Sequence, residues 1–345
     1  MISILRSGWL AALWLMLCAG SAAALEINTV STASGLMSFD VVAWGPGVYY
    51  LALGDNDPDA ARLDIVIMGD GYDASDADQA RFANAARVCR SELFEVPPYA
   101  SFGLCINVWM VSLVSEESGI TDKAHGYLAK TALQCSFAEE GVMKIDGDNG
   151  SAVLKAATIC ELVGVPFDKI FVIVNDKFDH DGAYSEPDHT ISYVSDLYPW
   201  GTVMAHELGH LVASLGDEYR AAACYEHAST ADGAECLTSQ AMATYTLPWE
   251  PMHPNLTTAV NIDTLEWGDL VETKAFPTTI DSVISGTVLG RWEGGGECCF
   301  GIYRPREYCL MDGVTGHNPA TDTFCAVCSR AIVDSLLAHY GCPAE

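Results

Sequence analysis

Apolar and polar positions along the chain fall into runs that alternate between strand and helix character. Leu63 to Met68 (LDIVIM) is a run apolar at all positions but Asp64, closed by Gly69-Asp70-Gly71, the pattern of a buried strand followed by a turn. Ser75 then opens a helical stretch to about Phe94, with Asp76 and Asp78 in its first turn. Acidic side chains there complement the positive end of the helix dipole. Cys105 to Val114 reads as a second strand and Ser151 to Val163 as a helix. Ile170 to Val174 (IFVIV) is a third buried strand, and Thr190 to Val194 (TISYV) a short fourth. Another helix covers about Thr202 to Leu215, with Gly216 where a C-cap glycine belongs. This alternation predicts an α/β sandwich with a mixed sheet. Residues 25–60 are short alternating runs ending in Gly54-Asp55-Asn56-Asp57-Pro58, a small β-rich lead-in and a turn. After Arg220 the chain is irregular and rich in Gly, Pro and Cys, and it closes on a helix from about Cys325 to Tyr340.

The first residues carry a targeting pattern. Arg6 is a short positive region, Trp9 to Cys18 an apolar one, and Ser21-Ala22-Ala23-Ala24 a small-residue cleavage site. The reading is a secretory signal peptide, residues 1–24, and a secreted or periplasmic protein. The apolar run is short for a membrane anchor, and no later stretch is apolar enough to span a bilayer. The formal net charge of −29 becomes one unit more negative once Arg6 leaves. So acidic a chain is expected to bind neither nucleic acid nor anionic membranes. Of the 13 cysteines, Cys18 departs with the signal and an even set of twelve remains. In an exported protein that predicts disulfides, up to six, holding a loop-rich C-terminal subdomain. Cys325-Ala-Val-Cys328 fits a disulfide better than half a zinc site or a redox pair, since no second such pair exists.

His206-Glu207-Leu208-Gly209-His210 carries the chemistry. Residues i and i+4 share one face of a helix, so two imidazoles can grip a single ion from adjacent turns. Glu207 lies on a neighbouring bearing, within reach of a water on that ion. Zinc brings such a water toward a pKa of ~7, and a carboxylate can take its proton as the water attacks a carbonyl. With 9 histidines in 345 residues, the pattern arises by chance only about 0.01 times. Val203, Met204, Leu208, Leu211, Val212 and Leu215 supply the buried face of the same helix. A catalytic zinc needs a third protein ligand. Asp217 and Glu218 follow the helix at once; Asp217 is favoured and Glu218 is the alternative. Glu226, Glu235 and His227 are more distant choices. Asp146-Gly-Asp148-Asn149-Gly150 resembles the start of a calcium loop, but Ala157 stands where an EF-hand carries glutamate. It is read as an exposed turn, with calcium the lesser reading. Asn149-Gly-Ser151 and Asn255-Leu-Thr257 fit the glycosylation pattern.

At these residues the chain resembles a known family. His206 to Tyr219 (HELGHLVASLGDEY) is similar to the zinc segment of the IgA-peptidase family of metzincin-like metallopeptidases. Leu63 to Tyr72, Asn107 to Gly119, Trp292 to Asp312 and Phe324 to Cys328 extend the likeness over roughly residues 61 to 330. The resemblance implies a metzincin-like zincin sandwich with the catalytic domain at 61–345, its upper part reaching about 216 and a subdomain following. It implies zinc endopeptidase activity on protein or peptide substrates, with substrate lying along an edge strand beside the zinc helix; Thr190 to Val194 is the candidate. It implies a methionine turn beneath the metal, a role Met311 fits by position. The usual metzincin motif has glycine and histidine at the positions held here by Ala213 and Gly216. A third histidine is therefore not carried over. Tyr219, Tyr303 and Tyr308 are unranked candidates for a transition-state hydrogen bond. Residues 25–60 contain no cysteine, so a thiolate latch from that segment is excluded, while Asp55 or Asp57 can block the metal. Two other functions compete: a zinc hydrolase of a non-peptide amide such as a cell-wall crosslink, and a silent binding module with a structural zinc. The second expects a fourth protein ligand and has no need of Glu207.

Overall fold

A computed structural model describes residues 27–31, 38–43, 48–52, 62–137, 151–178, 180, 183–185, 190–197, 201–219, 253–259, 264–271, 289–296, 298–313 and 323–342. The signal segment 1–24, Asp55, Asp57, the calcium-like turn at 146–150, Cys224, Cys236, Glu226, His227 and Glu235 lie outside these residues.

The architecture is mixed α/β. Eight strands form one sheet in the order β1 (Ile27–Ser31), β2 (Ser38–Ala43), β3 (Val48–Ala52), β5 (Ile106–Leu113), β4 (Leu63–Asp70), β8 (Lys169–Val174), β10 (Ile191–Ser195), β9 (Ala183–Ser185). The centre, β5-β4-β8-β10, is parallel. β1, β2 and β3 add an antiparallel meander against β5, so the β-rich lead-in is continuous with the main sheet. β9 runs antiparallel at the opposite edge. Two short pairs stand apart: β6 (Thr121–Asp122) with β7 (Ser136–Phe137), and β11 (Trp292–Gly295) with β12 (Cys298–Arg304).

Among the described residues the helices against the sheet are α1 (Asp76–Leu93), α2 (Ser151–Val163) and α3 (Gly201–Ala213), and α4 (Ala326–His339) packs on α3. The period-2 pleat divides the strand residues between two cores. Ile65, Ile67, Val108, Phe171 and Ile173 face α1, α3 and α4. Val66, Met68, Val111, Val172 and Val174 face α2 and the loops around Ile120 and Leu133. Both faces are therefore covered, which is why the central strands read as continuous apolar runs rather than alternating ones.

The helix starts follow local chemistry. Ser75 caps α1, its Oγ accepting the Asp78 N–H at 3.3 Å. The first N–H of α3, from Gly201, donates to Glu92 Oε2 at 2.8 Å, so a carboxylate from α1 sits at the positive end of the zinc-motif helix. Beyond the ends of the parallel strands, Arg81 of α1 pairs with Asp196 (Nε–Oδ2 2.6 Å), which also accepts the Tyr72 hydroxyl at 2.8 Å. Burial pushes the Asp196 carboxyl up to about 6, against the pull of Arg81.

Four expectations change. Thr190–Val194 is not the edge: β10 lies between β8 and β9, and the edge strand is Ala183–Ser185. That strand is too short to show as a run in the sequence. The helix-ending position belongs to Ser214, at φ +52°, not to Gly216. Asn255 is fully buried, with both ends of its carboxamide bonded, so it is not an exposed glycosylation acceptor. The disulfide framework is not seen among the described cysteines. None of Cys89, Cys105, Cys135, Cys160, Cys309, Cys325, Cys328 and Cys342 is in a disulfide. Even the close Cys309 and Cys328 sulfurs stand 3.7 Å apart, where a disulfide needs about 2.05 Å.

Candidate metal centre

The site is built where α3 ends. His206 and His210 lie one turn apart, with their rings in edge contact at 4.9 Å between centroids. Each ring is oriented by a main-chain carbonyl. His206 Nδ1 donates to Leu310 O at 2.9 Å, and His210 Nδ1 donates to Leu215 O at 2.6 Å. A carbonyl can only accept, so Nδ1 carries a proton in both rings, and in the neutral ring Nε2 presents a lone pair.

The chain reverses through Ser214, whose left-handed backbone turns it back under the helix. His253 Nδ1 donates to the Ser214 carbonyl at 2.9 Å. Gly216 follows with no room for a side chain, since a Cβ would stand 2.4 Å from Leu256 Cδ1. Its N–H and C=O are both clasped by the Asn255 carboxamide at 2.8 Å. Asp217 emerges from this clasp. Its Oδ1 lies 3.1 Å from His206 Nε2 and 3.3 Å from His210 Nε2, and the two Nε2 atoms are 3.2 Å apart.

Three acceptor atoms thus converge, and Asp217 Oδ1 receives no hydrogen bond. A tetrahedral zinc with nitrogen and oxygen ligands at about 2.0–2.1 Å has ligand–ligand edges of about 3.3 Å. The triangle matches that size, and the donor set suits the ion. Such a group perturbs its own protons. Burial opposes charging of the imidazoles, but the Asp217 carboxylate outweighs it, raising His206 and taking His210 up to about 9. Burial acts upward on Asp217 too, yet the two imidazoles hold it well below the usual carboxylate range.

Glu218 points elsewhere. It is fully buried, and its Oε1 accepts from Asn255 Nδ2 at 3.0 Å and from Cys328 Sγ at 3.1 Å. The structure therefore brings Asp217, and not Glu218, to the histidines.

Met311 is fully buried in a short 3-10 turn, Leu310–Asp312. The turn supplies the carbonyl that orients His206, and Met311 O accepts the Glu218 N–H at 2.6 Å. Gly209 lets the turn approach α3: a Cβ there would sit 3.1 Å from Met311 Sδ. Glu207 is 4% exposed and faces the edge strand, where Ser185 Oγ donates to Glu207 Oε2 at 2.5 Å. Ser185 was not foreseen from sequence, because nothing links it to the motif except a strand pairing. Of the three tyrosines, Tyr308 is 63% exposed, Tyr303 lies under the Arg291 guanidinium, and Tyr219 is partly buried beside the site. A separate group, Asp122, His125 and His180, converges on Asp122 Oδ2, which lies 2.5 Å from His125 Nδ1 and 3.2 Å from His180 Nε2. Among the described residues no helix is long and apolar enough to cross a membrane.

A mixed sheet with an HExxH helix against its edge strand and a carboxylate turned back beneath the motif is a constellation suited to hydrolysis. The sequence pattern of the IgA Peptidase M64 family matches residues 51–285, and the chain belongs to that family. It is thus a peptidase, a hydrolase whose substrate class is protein. No curated protein matches the chain.

Proposed function

We propose that the chain is an exported zinc endopeptidase in which His206, His210 and Asp217 hold the metal and Glu207 is the general base. The observation that carries this is the triangle of His206 Nε2, His210 Nε2 and Asp217 Oδ1 at 3.1, 3.2 and 3.3 Å, the spacing of ligand atoms around one bound cation. When bound, zinc supplies a Lewis acid that acidifies water and polarises the peptide carbonyl. Glu207 takes the proton of the attacking water and passes it to the departing amine. Ser185 holds the Glu207 carboxylate by its Oε2. Met311 and its turn support the histidines from below. Catalytic machinery is assigned to residues 61–345, divided near Gly216. Export rests on the charged, apolar and small-residue segments of residues 1–24.

The edge strand gives the substrate its direction. Among the described residues β9 pairs with β10 on one side only, which leaves its other side, beside α3, as the sheet edge. An extended peptide adding there brings a scissile carbonyl alongside Glu207.

The test compares the mature protein with its Glu207→Gln variant. Zinc is measured per chain, and cleavage of denatured proteins is read by mass spectrometry. The reading expects zinc in both, and new chelator-sensitive internal cuts from the wild type alone. Cleavage retained by Glu207→Gln, or by Asp217→Ala at full zinc content, removes the assignment.

A further inference from the structure

A second donor cluster lies behind the first. Cys325 and Cys328 form an isolated pair in the sequence, but the fold brings two further donors to them. Cys309 arrives from just ahead of the methionine turn, and Glu218 from the residue after Asp217. One ligand atom from each of Glu218, Cys309, Cys325 and Cys328 lies within 4.8 Å of all the others, and all four residues are buried.

The spacing suits coordination. Cys309 and Cys328 sulfurs are 3.7 Å apart, and Cys328 Sγ is 3.1 Å from Glu218 Oε1. A tetrahedral zinc with sulfur at about 2.3 Å and oxygen at about 2.0 Å has S–S edges near 3.8 Å and S–O edges near 3.5 Å. A disulfide can join only two of three sulfurs, and it leaves the third and the carboxylate without a role. Donor groups are also aimed at the cluster and its flanks. The Cys325 N–H points at Cys309 Sγ, 3.2 Å away. Cys325 caps α4, so the positive end of that helix faces the cluster. Arg304, 1% exposed, donates to the Glu218 carbonyl and pairs with Asp312. Glu218 Oε2 is buried and has no hydrogen-bond partner among the described residues.

We propose that Glu218, Cys309, Cys325 and Cys328 form a second, structural zinc site. Four protein ligands close the coordination sphere, which leaves no position for substrate. Soft thiolates select zinc over calcium or magnesium. Each thiol releases its proton to solvent as the ion binds. The site joins three segments: the irregular stretch after α3, the residue ahead of the methionine turn and the start of α4. Because Glu218 adjoins Asp217 and Cys309 precedes Met311 by two residues, it anchors both neighbours of the histidine site. The inference does not depend on the catalytic reading.

The experiment uses the full mature chain, purified with zinc and again with cobalt in its place. The expected result is two metal ions per chain. The cobalt protein shows thiolate-to-cobalt charge-transfer absorption in the near ultraviolet. That band survives in His206→Ala, which loses one ion, and disappears in Cys309→Ser, which loses the other. X-ray absorption on the unmodified zinc protein needs no variant to fold, and is expected to show sulfur in the averaged coordination shell. A band lost in His206→Ala alone, or zinc with no sulfur ligand, overturns the proposal. So does recovery of any two of the three cysteines as a disulfide by non-reducing peptide mapping. Loss of proteolysis with the charge-transfer band intact sinks the peptidase reading and leaves this site standing.

Discussion

Replacing Asn255 by alanine tests how Asp217, the proposed third ligand, is held. The Asn255 carboxamide accepts the Gly216 N–H and donates to the Gly216 carbonyl, both at 2.8 Å, and donates to Glu218 Oε1 at 3.0 Å. All of this is buried. Truncation leaves a main-chain donor and acceptor unpaired, each costing about 1–3 kcal/mol. Water entering the vacated space can recover part of that, so the expected loss of stability is about 2–5 kcal/mol. Asp217 is the next residue, and its oxygen must stay within about half an ångström of its position to ligate. Loosening such a support lowers metal affinity by about 10- to 100-fold. Urea unfolding of the zinc-loaded protein and competition against a chromogenic chelator measure the two effects. Thr257→Val is the control, since it abolishes the same glycosylation pattern without touching the clasp. An Asn255→Ala protein within about 1 kcal/mol of wild type, with unchanged zinc affinity, would refute the reasoning. In a glycosylating host, the folded wild type should carry no glycan at Asn255.

Other outcomes follow from the same geometry. Ser185→Ala removes the 2.5 Å hydrogen bond to Glu207 and is expected to lower kcat/KM by about 10-fold with zinc content unchanged; an unaltered kcat/KM would show that the base is held by other means. Gly209→Val forces branched bulk where even a Cβ would stand 3.1 Å from Met311 Sδ; overpacking predicts a loss of about 1–3 kcal/mol, read by thermal unfolding. Asp196 is pushed up to about 6 by burial, with Arg81 opposing. Its folded value lies above its unfolded one, so its stabilising contribution is full below about pH 4 and is lost as pH rises through 6. Asp196→Asn should therefore show a smaller change of unfolding midpoint between those pH values than wild type does.

Much of the fold is legible along the chain. The apolar runs at 63–68 and 170–174 and the period of α3 mark their elements because burial on both sheet faces, or on one helix face, leaves a local record. The Ser75 cap and the acidic first turn fix the start of α1. The hairpin of β11 and β12 does not show, because Trp292-Glu-Gly-Gly-Gly-Glu-Cys has neither alternation nor β-branched residues. Ser214 escapes notice as the left-handed residue because a glycine two positions later draws the eye, while that glycine is needed for its lack of bulk.

By itself the sequence determined the pair of histidines and the glutamate, since their spacing on a helix is a local property of 3.6 residues per turn. It also determined the two carboxylates available as third ligand and the methionine that follows. Only the tertiary structure puts Asp217, and not Glu218, beside the histidines. Adjacent residues on an extended segment point to opposite sides, and which side meets the histidines depends on Asn255, 38 positions further along. Tertiary structure alone moved the sheet edge to Ala183–Ser185 and brought Ser185 to Glu207. It also gathered Cys309 and Glu218 around a cysteine pair that looked complete. Contacts between segments remote in sequence are set by packing, and packing leaves no periodic trace in the order of residues.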